Sequence, residues 1–154
     1  MDLQVSRGIN PRLSPRIRPG SADDLGVVLD LWTVSDAVPT PTDRLQPLRV
    51  LLSVDPGALI VADADGELVG SLIAAWNGWR GSFYRLAVHP AHRRGGLATR
   101  LVLAGEERLR ERGAVRLDAL VADDQAAALG FWSAAGYELQ ADRRRFVRNF
   151  GLVP

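Results

Sequence analysis

Apolar positions recur along the chain with two periods, and the switch between them predicts an alternation of helices and strands. Leu25, Val28, Leu29 and Trp32 fall on one helical stripe, and Ser21 with Asp24 three residues on has the form of a capping box ahead of it. A proline-punctuated loop at 38–41 leads to a second helical stretch in which Leu48, Leu51 and Leu52 face inward. Pro47 fits its first turn, where a missing N–H costs nothing. Segments 58–63 and 67–76 flank Asp65-Gly66, and Asn77-Gly78 separates Trp76 from Trp79, so two hairpin turns join three antiparallel strands. Ala98, Leu101, Val102, Gly105 and Leu109 then share one face of a long amphipathic helix, with Gly113 as its stop. Val115, Leu117, Ala119 and Val121 alternate with Arg116, Asp118 and Leu120, the pattern of a strand returning parallel to the one before that helix.

Asp123 or Asp124 is expected to cap a short helix running to Ala135 and ended by Gly136. Residues 137–140 and 144–150 suggest a closing hairpin with Phe146 and Phe150 on one face. The predicted order is β-α-α-β-β-β-α-β-α-β-β, an α/β fold on a mixed sheet. It occupies a single domain, residues 17–154, behind a loose N-terminal tail at 1–16 whose Pro11, Pro15 and scarcity of large apolar residues cannot offset the entropy of ordering.

Composition narrows the chemistry. At 154 residues with 47% apolar content the chain can bury one core. Its formal charge of +1 provides no global field toward nucleic acid or membrane, so neither is expected as a partner. There is no cysteine, which removes disulfides, thiolate metal sites and a cysteine nucleophile together. Two histidines in one short segment do not make a zinc site, so no metal is expected. No apolar run reaches membrane-spanning length and the first sixteen residues lack a signal-peptide core, which points to a cytoplasmic protein.

The most informative stretch is 88–99, where an apolar strand enters a glycine-bearing turn that opens directly onto the long helix. The first N–H groups of a helix have no partner inside it, and the aligned peptide dipoles add partial positive charge there. Such a start is an anion seat that accepts a pyrophosphate without a metal. Gly96 and Ala98 permit close approach, and Arg93, Arg94 and Arg100 add charge nearby.

The spacing reads R-x-x-G-x-A on Arg93, Gly96 and Ala98, preceded by Leu86-Ala87-Val88-x-Pro90. A second block follows at Ala128-Leu129-Gly130-Phe131-Trp132-Ser133-Ala134-Ala135-Gly136-Tyr137. Together, and in this order, the two blocks resemble the acyl-CoA signature of the GCN5-related N-acetyltransferases over roughly residues 17–150. The family's order of elements is the one predicted above. The resemblance implies acetyl-CoA as acyl donor, with the pantetheine arm paired to main-chain groups of Leu86, Ala87 and Val88 where that strand splays from its parallel neighbour. It implies the diphosphate on N–H groups of Arg94, Gly95, Gly96, Leu97, Ala98 and Thr99, with Arg93 opening the signature. Gln125, three residues before the second block, and Trp132 within it complete the implied cofactor set. Arg94 stands where many relatives carry glycine and Gly95 where many carry a basic residue, which leaves open which arginine touches phosphate. His89 and His92 read as exposed loop residues.

Acetyl transfer by direct attack needs a neutral amine, a stabilised oxyanion and a departing thiolate. Trp132 takes the place where the family commonly has a tyrosine acid, and indole N–H is not a useful acid. Ser82 and Leu120 fall where members of the family place a glutamate base. A thiol of pKa about 8.5 leaves at neutral pH against roughly 2 kcal/mol, so a missing acid is tolerable. A lysine-like amine near 10.4 must lose a proton at a cost of roughly 4.6 kcal/mol, against about 1 to 1.4 for an α-amino group. The expected acceptor is therefore a low-pKa amine of a small molecule or peptide.

Asp118 is the nearest substitute base, acting through water, unless it is spent in an ion pair with Arg116 or Arg85. Ser82, Tyr84 and Glu138 are further candidates. The acceptor pocket is expected between the first two helices and the hairpin, with Trp32, Trp76, Trp79 and Arg80 as an aromatic and cationic wall; hairpin tryptophans also serve to cap a sheet edge. An acyl-CoA-binding module without catalysis is the alternative from another class, and Arg143-Arg144-Arg145 with Arg148 reads as a solvated face rather than a nucleic-acid patch. A homodimer, if formed, would pair through the final strand or the Trp-bearing hairpin.

Overall fold

The structure, a computed structural model, describes residues 14–151. Five strands lie in sequence order: β1 (Arg16–Pro19), β2 (Leu59–Ala64), β3 (Glu67–Trp76), β4 (Gly81–Val88) and β5 (Leu117–Ala119). The first four are antiparallel and β5 is parallel to β4. Helices α1 (Leu25–Val34) and α2 (Leu45–Val54) cover one face of the sheet, where Leu25, Val28, Leu48 and Val61 meet. Helices α3 (Leu97–Glu111) and α4 (Ala126–Ala134) cover the other, around Leu72, Phe83, Leu101 and Trp132. No helix among the described residues is long and apolar enough to cross a membrane.

Local chemistry sets the helix positions. The Ser21 N–H donates to Asp24 at 2.8 Å, forming the expected capping box ahead of α1. The same carboxylate accepts two 2.8 Å bonds from Arg18, whose Nε reaches Asp63 at 2.5 Å, so the cap is tied to β1 and β2. Helix α3 packs close to the sheet because Gly105 carries no side chain: a Cβ there would stand 2.6 Å from Phe83. Gly113, at φ +95°, ends that helix as predicted, and the Ala114 N–H turns back to the Leu109 carbonyl at 3.0 Å.

One irregularity positions the rest. Ser71 lies opposite Ala87 but Ile73 lies opposite Tyr84, so β4 carries one residue more than β3 over that span. Arg85 sits within it, at φ +54°. A strand alternates faces strictly, so an extra residue reverses the alternation beyond it. Phe83 packs toward α3, and so do Leu86 and Val88, while Ala87 packs toward α1.

Several expectations differ from what is observed. Residues 137–140 and 144–150 form no strands, and Phe146 and Phe150 are exposed. A two-stranded hairpin with no third strand or helix beneath it is marginal in water, and after Tyr137 residues 138–151 are all exposed. Strand β5 is confined to three residues: Val115 lies ahead of the level where β4 starts and is almost fully exposed, and past Ala119 the two strands part although β4 continues to Val88. Helix α4 starts at Gln125 without a side-chain cap, because Asp123 and Asp124 form the turn that precedes it. The expected tail falls mostly on residues 1–13, outside the described part. Ser14 and Pro15 accept hydrogen bonds from Arg100, and Arg16 already belongs to β1.

Two predictions follow from the ionic ties. Hydrogen bonds from Arg18 lower the Asp24 pKa from 3.8 to about 2. The native state thus holds the ionised form more tightly than the unfolded chain, and this stabilisation is present above pH 3.8 and lost as pH falls toward 2. Acid titration followed by circular dichroism should show Asp24→Asn losing the wild-type advantage near neutrality and converging with wild type at the acid end. Asp55 is buried, ion-pairs with Arg108 and accepts the Trp76 N–H at 2.9 Å, while Arg108 also binds the Ala74 carbonyl at 2.6 Å. Asp55→Ala strands that guanidinium and should cost about 3 kcal/mol in urea unfolding.

Candidate active site

The site begins where β4 loses a neighbour. Residues 81–83 pair with β5, and from Tyr84 onward no strand among the described residues lies on that side. The His89 N–H bonds the Val69 carbonyl on the β3 side at 2.8 Å. Peptide groups alternate direction along a strand, so those of Leu86 and Val88 turn to the open edge while those of Ala87 turn to β3. Two of the three implied main-chain partners are thus presented, and the Val88 carbonyl already accepts Arg93 Nε at 3.2 Å.

A single tight turn at Pro90–His92 follows, with the Ala91 N–H held by His89 Nδ1 at 3.1 Å. This gives His89 a local capping role. Gly96 then caps α3 at φ +77°, a left-handed conformation glycine adopts freely. None of the N–H groups from Arg94 through Thr99 donates to another described residue. They open onto a cleft of about 200 Å³ bounded by Val88, the turn, the start of α3 and Phe131 of α4. A Cβ on Gly96 would meet nothing within 4 Å, so there is room above the backbone. A run of unpartnered donors, an open strand edge and free space together fit a diphosphate carrying an extended arm.

The arginines of the turn are less available than their positions suggest. Arg93 spans to the Ser35 carbonyl at the end of α1 at 3.3 Å as well as to Val88. Arg100 is held by Pro15 O at 2.7 Å and Ser14 Oγ at 3.1 Å, away from the cleft. Arg94, at φ +67°, lines the cleft and makes no side-chain hydrogen bond among the described residues. The departure noted in the sequence runs against the backbone's preference for glycine at a left-handed position. The residue that takes the left-handed conformation is 94, whereas Gly95 shows no positive φ.

On the α1 side of the sheet, Ser82 lies directly opposite Asp118 in register, and Asp118 is exposed with no ion pair among the described residues. The pairing to Arg85 or Arg116 does not form, because Arg85 is engaged by Asp43 and Thr40 of the loop between α1 and α2. Trp32 supports that guanidinium from below, 5.5 Å from its ring centre, and donates its indole N–H to buried Ser71 at 2.9 Å. Trp32 is therefore a core residue on the α1 face, whereas Trp76 packs on the α3 face, and the expected common wall does not assemble. Trp79 stands exposed at the hairpin tip with Arg80 partly buried beside it, the guanidinium 4.0 Å over the indole.

Trp132 is buried against Phe83, with ring centres 5.6 Å apart, and Tyr137 meets it edge-on at 4.9 Å. The Tyr137 hydroxyl donates to Glu106 at 2.8 Å, and burial pushes its pKa above the usual phenol value. Gln125 caps α4 through its backbone alone, leaving its side chain free. Sequence reasoning missed Asp43, Thr40, Ser35 and Phe131. The Ser35 hydroxyl is buried beside the turn without a hydrogen-bond partner.

This geometry is that of a coenzyme-A-dependent acyl transferase. The model of the Acetyltransferase (GNAT) family matches residues 27–137, and the chain belongs to that family. An acetyltransferase of Pectobacterium atrosepticum is 34% identical over 79% of this chain and 86% of its own length. Among solved structures, Ard1 from Thermoplasma volcanium superposes with a TM-score of 0.75 at 21% identity, covering 84% of this chain and 86% of its own. The PaiA N-acetyltransferase from Thermoplasma acidophilum, solved with coenzyme A, gives 0.69 at 16% identity over 83% and 92%. The protein is an N-acetyltransferase that uses acetyl-CoA as acyl donor.

The two adjacent glycines should respond oppositely to one methyl group. Gly96→Ala forces a side chain into a left-handed conformation and should cost about 1 kcal/mol net. Gly95→Ala has no such strain and should be neutral or stabilise by about 0.5 kcal/mol. Thermal unfolding of both variants checks this.

Proposed function

We propose that the coenzyme diphosphate rests on the N–H groups of Arg94, Gly95, Gly96, Leu97, Ala98 and Thr99, with Arg94 supplying the free cation. The pantetheine arm follows the open edge of β4 along Leu86 and Val88, with Phe131, Trp132 and the side chain of Gln125 on the α4 side. The observation that carries this reading is the unbroken run of unpartnered donors at the start of α3, next to a strand edge that has lost its neighbour. Bound acetyl-CoA supplies a thioester carbonyl beside the β4 irregularity.

The acceptor is a primary amine that enters over Ser82, Tyr84 and Asp118, beneath the loop fastened by Arg85. Asp118 and Ser82 are the groups that pass its proton to water. Asp118 faces solvent, Trp132 offers no acid, and the Tyr137 hydroxyl is committed to Glu106. With no strong base in reach, the amine must arrive neutral through its own pKa. That costs about 4.6 kcal/mol for a lysine-like amine and about 1 to 1.4 for an α-amino group, so an amino-acid or peptide α-amine is favoured. Arg80 at the hairpin tip suits an acceptor that also carries a carboxylate.

A thiol-release assay over amino acids, peptides, polyamines, arylamines and aminosugars tests this directly. At pH 7, α-amines should lead in kcat/KM, and alkylamines should gain about tenfold per pH unit until they are fully deprotonated. A wide lead for spermidine at pH 7 would overturn the assignment of acceptor class.

A further inference from the structure

Arg85 has partners for part of its guanidinium and none for the rest. Its Nε donates to Asp43 at 3.0 Å, and its Nη2 donates to the other oxygen of the same carboxylate and, at 3.1 Å, to Thr40 Oγ1. The ring of Trp32 lies 5.5 Å away, and the Ser71 hydroxyl, which accepts the Trp32 indole N–H, donates to the Arg85 carbonyl at 3.5 Å. A guanidinium carries five N–H groups, and three are met by these contacts. The two on Nη1 have no acceptor among the described residues, although the side chain is only 16% exposed. Nη1 is not sealed from solvent: among the described residues Ser35 Oγ alone is both buried and unpartnered. A largely enclosed cation thus keeps two donors within reach of a ligand.

Position and charge narrow what that ligand can be. Arg85 stands in the β4 irregularity at φ +54°, between Tyr84, where pairing with β5 has ended, and Leu86, whose peptide turns to the open edge. A side chain is kept in that conformation only where its surroundings fix it, a situation that clusters at functional sites. Asp43 already balances the guanidinium charge, with its own side chain only 15% exposed. A second carboxylate brought to Nη1 would meet Asp43 across the same group and be repelled, whereas a neutral carbonyl oxygen would not.

We propose that Nη1 of Arg85 donates to the carbonyl oxygen next to the attacking amine, so that the acceptor is a peptide N-terminus or an amino-acid amide rather than a free amino acid. Covalent geometry fixes that oxygen relative to the amine nitrogen, so holding it orients the amine toward the thioester. Arg85 selects the acceptor, and Asp43 positions the guanidinium while turning away a free α-carboxylate. A carboxylate further along a peptide is left for Arg80. The inference rests on the α-amine reading given above and narrows it.

The test measures thiol release from acetyl-CoA with amino-acid amides, the matching free acids and 2,2-difluoroethylamine, a weakly basic amine without a carbonyl. Each kcat/KM is divided by the fraction of amine that is neutral at the assay pH. Wild type should prefer each amide to its acid by about tenfold. Arg85→Gln should lower the ratio of amide to difluoroethylamine by about tenfold, as expected for a lost hydrogen bond from a charged donor. Asp43→Asn leaves the guanidinium unopposed and should raise the ratio of acid to amide by about tenfold, a shift that loosening of the loop alone would not produce. Circular dichroism and calorimetric binding of acetyl-CoA report whether each variant is folded, and the wild-type comparison decides alone if one is not. Equal use of amides and acids by wild type, or ratios that folded variants leave unmoved, would overturn this proposal and leave the α-amine reading standing. A wide lead for spermidine at pH 7 would remove both.

Discussion

The site depends on one extra residue in β4. Without it, the strand would keep its alternation and Leu86 and Val88 would pack toward α1 instead of toward α3. With it, the strand changes course near Arg85, and pairing with β5 ends at Phe83. An inner strand of a sheet normally has both edges paired; here one edge is left with peptide groups unspent just before the turn. Arg85 pins the irregularity through Asp43, Thr40 and the ring of Trp32, so a left-handed residue in mid-strand is held from several elements at once.

Free hydrogen-bond donors at the turn come chiefly from the main chain. Arg93 is spent on the carbonyls of Val88 and Ser35, and Arg100 on Ser14 and Pro15, which leaves Arg94 as the one guanidinium of the three without a protein acceptor among the described residues. The two engaged arginines act as fasteners. Arg93 ties the end of α1 to the end of β4, and Arg100 ties the chain entering β1 to the first turn of α3. Arg93 therefore helps to frame the cleft, although simple charge counting would have assigned it to the ligand.

Most of the fold can be read from periodicity because its helices are amphipathic and its turns carry glycine. Leu101, Val102, Gly105 and Leu109 mark the buried face of α3, and Asp65-Gly66 and Asn77-Gly78 mark the hairpins. The closing strands were misread because Phe146 and Phe150 have strand spacing, and spacing alone does not say whether a neighbour exists to pair with. The site is legible where its function rests on backbone, as at Gly96, whose glycine reports a left-handed turn. It is not legible at Arg85 and Asp43, since their ion pair joins distant segments and neither residue breaks a local pattern. Trp32 was placed in a pocket wall on its aromatic character, although its stripe with Leu25 and Val28 already marked it as core.

The exchanged order of Arg94 and Gly95 has an evolutionary corollary. A binding surface made of peptide groups is blind to the identity of the side chains it carries, provided the chain still bends at residue 96. Neighbouring positions in such a turn can trade amino acids across lineages at the expense of local strain alone, without passing through an inactive ancestor.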